Sequence, residues 1–292
     1  MLALTQTPIQ PTRVERPARA LLGWMPTNEA LLMLTGRRHD VTPTPEQVQL
    51  AEKLRDAVAG RPVGVAQIGL EQPSPAELLP YIGDLQKDPA AAGLISAGSR
   101  VALVDLARVC AAQPLVHVYH AVERVADVDA KDVLSIARVT LPASQTIQLP
   151  ATFDQIQKAW VLTSANPNLR ITGVGQASAP NGAPMFGFTV GLVTSFLRVA
   201  QYQGRYILVD GYHRAYGLLR RGMSVVPAFV TEVQSFEALG LPAVGMLPQE
   251  AFLGGRPPFL SDYLSDKVAA DITVPAMQKT IAIVGLELQT AG

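Results

Sequence analysis

The chain has 292 residues, 48% of them hydrophobic, and carries 24 basic and 24 acidic side chains, so its formal net charge is zero. That balance removes the electrostatic footprint by which proteins grip a phosphate backbone along its length, so nucleic acid is not an expected partner. The single cysteine, Cys110, excludes an intramolecular disulfide framework and fits a reducing compartment. Met1 to Pro8 lacks the basic region and apolar core of a secretory signal and no apolar run reaches membrane-spanning length, so a cytoplasmic globular protein without a membrane partner is expected.

In chain order, residues 1 to about 20 hold Pro8, Pro11 and Pro17 among polar residues and read as a loose arm. Asn28 to Leu34 reads as a short helix capped by Thr27 or Asn28. A better-marked helix runs from Thr44 to about Ala59, with threonine at the N-cap, Pro45 in the first turn, Glu46 and Glu52 early and Gly60 past the end. Its apolar positions Val48, Leu50, Ala51, Leu54, Ala57 and Val58 make it a packing helix. Pro73 to Leu85 suggests another helix, and Val101 to Val109 is an apolar run readable as strand or helix.

Val116 to Val122 alternates enough to read as a strand, which sends His117 and His120 to opposite faces and argues against a metal pair. Val133 to Leu141 and Gln157 to Thr163 read as further strands, with Trp160 in the core or at its rim. Asn166 to Arg170 is turn chemistry ending in an arginine, and Ser178 to Pro184 is a loop that reads either as a cover over a ligand or as an ordinary surface connection, ahead of the strand-like Phe186 to Leu192. Gly173-Val174-Gly175 is too short for a dinucleotide fingerprint. There is no phosphate loop, no internal repeat, and no basic recognition helix after Val230.

The densest polar chemistry follows Gly204. Tyr206 to Val209 is a short β-branched run read as a covered strand; His213 to Arg221 places Ala215, Leu218 and Leu219 on one helical face, and Gly222 stands where a left-handed cap is expected. Asp210, Gly211, Tyr212, His213 and Arg214 therefore fall at a strand-to-helix junction. The first N–H groups of a helix lack intrahelical partners and attract anions, and Arg214 in the first turn opposes the dipole unless an anion or a carboxylate offsets it. Two readings follow: Arg214 and the turn amides hold a phosphate or carboxylate, or Asp210 pairs with Arg214 internally while His213 and Tyr212 cap or pack.

From Phe196 to Val230 the chain resembles the ParB/sulfiredoxin-like superfamily. The hairpin around Gln203-Gly204, the strand ending in Gly211-Tyr212-His213-Arg214, the helix and Val226-Pro227-Ala228-Phe229-Val230 agree in order and spacing with that family, over about an eighth of the chain. The resemblance implies an α/β (mixed) ParB/sulfiredoxin-like domain at 96–235, with an N-terminal extension at 1–95 and a C-terminal one at 236–292. It also implies nucleotide phosphates held by Gly211, Tyr212, His213 and Arg214, with Arg170 as a second basic group. Asp210 would hold Mg²⁺ beside a nucleoside triphosphate, and Asp210 and His213 would be the catalytic candidates for phosphoryl transfer or nucleotide hydrolysis. Tyr212 stands where sulfiredoxins have their nucleophilic cysteine and ParB proteins an acidic residue. Peroxiredoxin repair is therefore not expected, and hydrolysis is in question where binding is not. The alternative is a non-catalytic regulatory or protein-interaction module that keeps the fold, with sequence-specific DNA binding a third reading that the neutral charge disfavours.

Overall fold

Part of the expected loose arm is a buried strand. The computed structural model describes residues 14–64, 70–144, 149–164, 166, 168–178, 182, 184–242 and 244–285. Pro8 and Pro11 of the arm, Pro167 of the 166–170 turn and residues 179–181 and 183 of the 178–184 loop lie outside them. Strand β1 (Glu15–Ala20) buries Ala18, Arg19 and Ala20 because it runs between two partner strands. Helix α1 (Thr27–Leu34) follows Pro26. Helix α2 (Pro45–Ala59) starts as its sequence dictates: Thr44 Oγ1 accepts from Gln47 N–H at 3.3 Å and Gln47 Oε1 from Thr44 N–H at 2.9 Å, satisfying two otherwise orphaned donors.

After β2 (Glu71–Gln72) the helical expectation at 73–85 resolves into a short 3₁₀ turn and α3 (Leu79–Leu85), followed by α4 (Pro89–Ser96), which Asp88 caps. The 101–109 run is β3 (Arg100–Asp105) and one 3₁₀ turn, leading to β4 (Cys110–Ala111). Two expected strands are helices instead. β5 (Leu115–His117) lasts three residues before α5 (Val118–Arg124), and α6 (Val133–Thr140) begins where Asp132 accepts from Leu134 N–H at 2.8 Å. Val118, Ala121, Val122 and Val125 follow the helical i, i+3, i+4, i+7 spacing, as do Val133, Ile136, Ala137 and Thr140, and the second set buries its last three members.

The remaining elements are β6 (Thr152–Asp154), β7 (Ala159–Ser164), β8 (Leu169–Ser178), β9 (Pro184–Leu192), β10 (Arg198–Tyr202), β11 (Arg205–Asp210), α7 (Tyr212–Arg220), β12 (Val225–Glu232), α8 (Gln249–Phe252), β13 (Ala270–Pro275) and β14 (Lys279–Val284). The class is mixed α/β. Among the described residues no helix is long and apolar enough to cross a membrane.

The chain divides into two units, Met1–Pro142 with Phe196–Ala276, and Ala143–Ser195 with Met277–Gly292. These are not the divisions expected at 95 and 235. β1 lies between β13 and β5 in one antiparallel sheet, so the early and late segments share backbone hydrogen bonds.

The first unit also holds a six-stranded sheet in the order β2-β3-β12-β10-β11-β4, with β10 antiparallel to β11 and parallel to β12. Pro227, which cannot donate to a ladder, lies in β12 before its pairing with β10 begins at Phe229, so no donor is missed there. The core gathers Ala20, Leu54, Val104, Val116, Leu208 and Leu218 with their neighbours, joining both sheets to the helices. In the second unit β7 pairs with β6 and β14, and β8 and β9 form a separate two-stranded ribbon. Trp160 stands on the exposed rim of that unit, against Phe153.

Candidate functional site at the first turn of α7

The hairpin, turn, helix and strand expected after Phe196 are all present. Gln203 and Gly204 turn the β10–β11 hairpin with φ of 49° and 71°, the pair of positive values that matches strand twist. Gly211 adopts φ +95°, and a Cβ there would lie 3.0 Å from Leu197 Cα, so conformation and space both demand glycine. At the other end Gly222, at φ +79°, closes α7: its N–H reaches Leu219 O at 2.9 Å and Met223 N–H reaches Leu218 O at 3.0 Å.

The side chains of the turn divide between packing and the surface. Tyr212 is buried; its hydroxyl donates to Leu208 O and accepts from Ala112 N–H at 2.9 Å and Gln113 N–H at 3.2 Å. This corrects its expected place among the ligand-binding side chains, because no hydrogen-bonding capacity is left for a ligand. Burial also holds its phenol well above the usual range, so it stays protonated. Arg214 is 4% exposed and donates from Nη1 to Val139 O at 3.1 Å. Burial pushes its guanidinium down to about 10, against the pull of Asp210. Asp210 Oδ1 accepts from Gly211 N–H at 2.6 Å. Arg170 lies on β8 of the other unit, where its Nη1 donates to Leu169 O at 2.9 Å.

His213 is brought together with two residues that the sequence reading had separated. Because 118–124 is helical, His117 at the N-cap of α5 and His120 in its first turn lie on one side, not on opposite faces of a strand. Their rings form a triangle with His213: centroids are 5.5 Å apart for His117–His213, stacked at 18°, and 5.8 Å for each of the other two pairs. Three of the four histidines in the chain thus meet at one spot. Among the described residues no group of three or more His, Cys, Asp or Glu is arranged to hold a metal ion.

The surroundings are cationic. Burial first, then Arg124, His117, His120 and Arg214, press His213 down to about 3, and among the described residues its Nε2 is buried without a hydrogen-bond partner. Burial, His120 and Arg37 lower His117 as well. Asp210 and Glu123 are the carboxylates that act on Arg124, and Glu123 lies 3.8 Å from His120 Nδ1. The N-terminus of α7 has no side-chain cap, so its first amides add to the positive field. This arrangement fits an anion and not a cation: a magnesium ion at Asp210 would face the guanidiniums of Arg124 and Arg214, and Gly211 already uses one carboxylate oxygen.

The histidine cluster makes stability pH-dependent in a defined direction. His213 binds its proton more weakly in the fold than at its ordinary 6.5, so stability is full above about pH 6.5 and declines as pH falls toward about 3. One proton sets a limit of about 1.4 kcal/mol per pH unit. His213→Gln is expected to flatten that decline between pH 6.5 and 4.5 in urea unfolding; an unchanged slope would mean that His213 carries no such shift.

No protein-family model, no curated protein and no solved structure matches the chain.

Proposed function

We propose that the first turn of α7 binds a phosphate-bearing ligand, with a nucleotide as the first class to test. The observation that carries this reading is the convergence of Arg124, Arg214 and the three histidines on the N-terminus of α7, where among the described residues no side chain caps the helix and His213 Nε2 is buried without a hydrogen-bond partner. A phosphate there would accept from Nε2–H and from the Tyr212 and His213 amides, and would offset the repulsion between Arg124 and Arg214. The choice of a nucleotide rests on the resemblance of 196–230 to ParB/sulfiredoxin-like domains. Binding, rather than turnover, is the reading we favour. His213 is neutral at pH 7, and Asp210 serves the turn backbone, so neither is poised as the expected acid or base.

Thermal unfolding against inorganic phosphate and a panel of ribonucleoside di- and triphosphates, each with and without Mg²⁺, tests the proposal. A ligand at a hundred times its Kd is expected to add about 2.7 kcal/mol. The shift should vanish in His213→Gln. No shift with any phosphate compound would sink the reading.

The burial of Arg214 and its bond to Val139 O favour a second reading, a regulatory or interaction module in which the turn is purely structural. Under it Arg214→Ala lowers stability and nothing else. Because Arg214 is buried, that variant is destabilised under both readings, so His213→Gln and Arg124→Gln are the informative replacements.

A further inference from the structure

The ribbon of β8 and β9 has two unlike faces. Cross-strand partners in an antiparallel pair point the same way, so the register assigns each side chain to a face. One face carries Leu169 with Leu192, Ile171 with Val190, Val174 with Phe188, Gln176 with Phe186 and Ser178 with Pro184. The other carries Arg170 with Gly191, Gly173 with Thr189, Gly175 with Gly187 and Ala177 with Met185. The irregularity between Ile171 and Gly173 makes the first face continuous: the extra residue, Thr172, restores Ile171 to the side of Val174, although the two are an odd number of positions apart.

This apolar face is exposed to a degree that a two-stranded ribbon does not tolerate for free. Ile171, Val174, Phe186 and Phe188 are 44–67% exposed. Phe186 and Phe188, at about 150–250 Å² each when fully exposed, leave roughly 220 Å², and the smaller Ile171 and Val174 bring the patch to roughly 400 Å², the size of the largest apolar patch on a monomer, which is often functional. Among the described residues the ribbon pairs with no third strand, and over β8 and β9 the only charge is Arg170 on the opposite face. Apart from Arg170 near the start of β8 and Pro184 at the start of β9, the charges and prolines that guard natural edges are missing along its length.

We propose that this face is the dimerisation surface of the chain, packing against the same face of a second copy. Two facts select a second copy over a different partner. The face carries no charge to complement a charged surface, so a self-complementary apolar contact satisfies it. The four residues, doubled by two-fold symmetry, supply at most roughly 800 Å² when fully covered, and Gln176, Ser178, Pro184 and Val190 at the margin bring the total toward the roughly 1,000 Å² that is the floor for a biological interface, so the dimer is a weak one. The opposite face is a poorer candidate: it carries the charge of Arg170 and four glycines, and Met185 is its one large apolar side chain.

Sedimentation velocity of the full chain at micromolar concentration is expected to show a species of twice 31.1 kDa. The double variant Phe186→Ser with Phe188→Ser should weaken association about a hundredfold or more, consistent with loss of central aromatic anchors. Its far-UV spectrum should be unchanged, because both positions are exposed. Gly175→Ser on the other face should leave the dimer intact. Val174→Cys should cross-link between copies with a short bismaleimide and Gly175→Cys should not; Cys110 is buried and does not compete. A monomer at every concentration overturns the proposal, as does a dimer insensitive to the phenylalanine pair. Wild-type binding to neutral phosphatidylcholine vesicles, lost in the double variant while the protein stays monomeric, overturns it in favour of a lipid surface.

Discussion

Gly217→Val is expected to remove roughly 3 kcal/mol or more of folding free energy and to disperse the histidine triangle. Gly217 lies one turn after His213 on the same face of α7, where that helix meets α5. A Cβ there would sit 2.5 Å from Ala121 O and 2.9 Å from Val125 Cγ2. Ala121 O belongs to a helical backbone that cannot yield without breaking its ladder, so the clash spreads the two helices, at the upper end of the 1–3 kcal/mol usual for overpacking. Ala121 follows His117 by four residues, just as Gly217 follows His213, so the two helices touch in successive layers: stacked imidazoles, then glycine against carbonyl. Closing the second layer sets the 5.5 Å spacing of the first. Gly217→Ala is the sharper test. Alanine gains up to about 1 kcal/mol over glycine in a helix interior, so wild-type stability or better in urea unfolding would show that the close approach is not structurally required. A loss of stability, together with altered histidine resonances, is the expected outcome.

The same helix pair marks where the sequence was legible and where it was not. The start of α2 at Thr44-Pro45 and the Gly222 end of α7 are legible because caps and left-handed glycines are local chemistry, written in adjacent residues. Val116, His117 and Val118 alternate as a strand does, yet the strand ends at His117 and α5 begins at Val118. The helical spacing of Val118, Ala121, Val122 and Val125 was present in the same residues and was the better signal, being longer. α6 was lost in the same way, although Asp132 stood as its cap. The error reached the site: on a strand His117 and His120 diverge, and on a helix they converge on His213. Other features had no local signature. β1 pairs with β13, more than two hundred residues later, and no pattern in Glu15–Ala20 names that partner. The inward direction of Tyr212 and Arg214 depends likewise on β4 and α6, which the sequence does not bring beside the turn.

Tyr212→Phe is expected to cost about 3–5 kcal/mol while leaving the affinity of the folded molecule for a phosphate ligand unchanged. The lost hydroxyl would leave Leu208 O without this donor and the N–H groups of Ala112 and Gln113 without an acceptor, and each buried orphan costs about 1–3 kcal/mol. The position is unusually sensitive because β4 is two residues long and joins β11 through only two paired positions. The tyrosine hydroxyl continues that junction past the end of the strand and fixes the chain that leads through β5 to His117. His213, its neighbour, is expected to behave in the opposite sense: His213→Gln should retain stability at pH 7 and lose the ligand-dependent shift. Urea unfolding gives the first quantity. Calorimetric titration, with whichever phosphate compound shifts the wild type most, gives the second. If Tyr212→Phe folds with less than about 1 kcal/mol of loss and fails to bind, the hydroxyl belongs to the ligand site and its backbone bonds are incidental. If it is strongly destabilised yet binds normally when folded, consecutive residues serve two purposes: Tyr212 holds the helix start to the sheet, and His213 faces the anion.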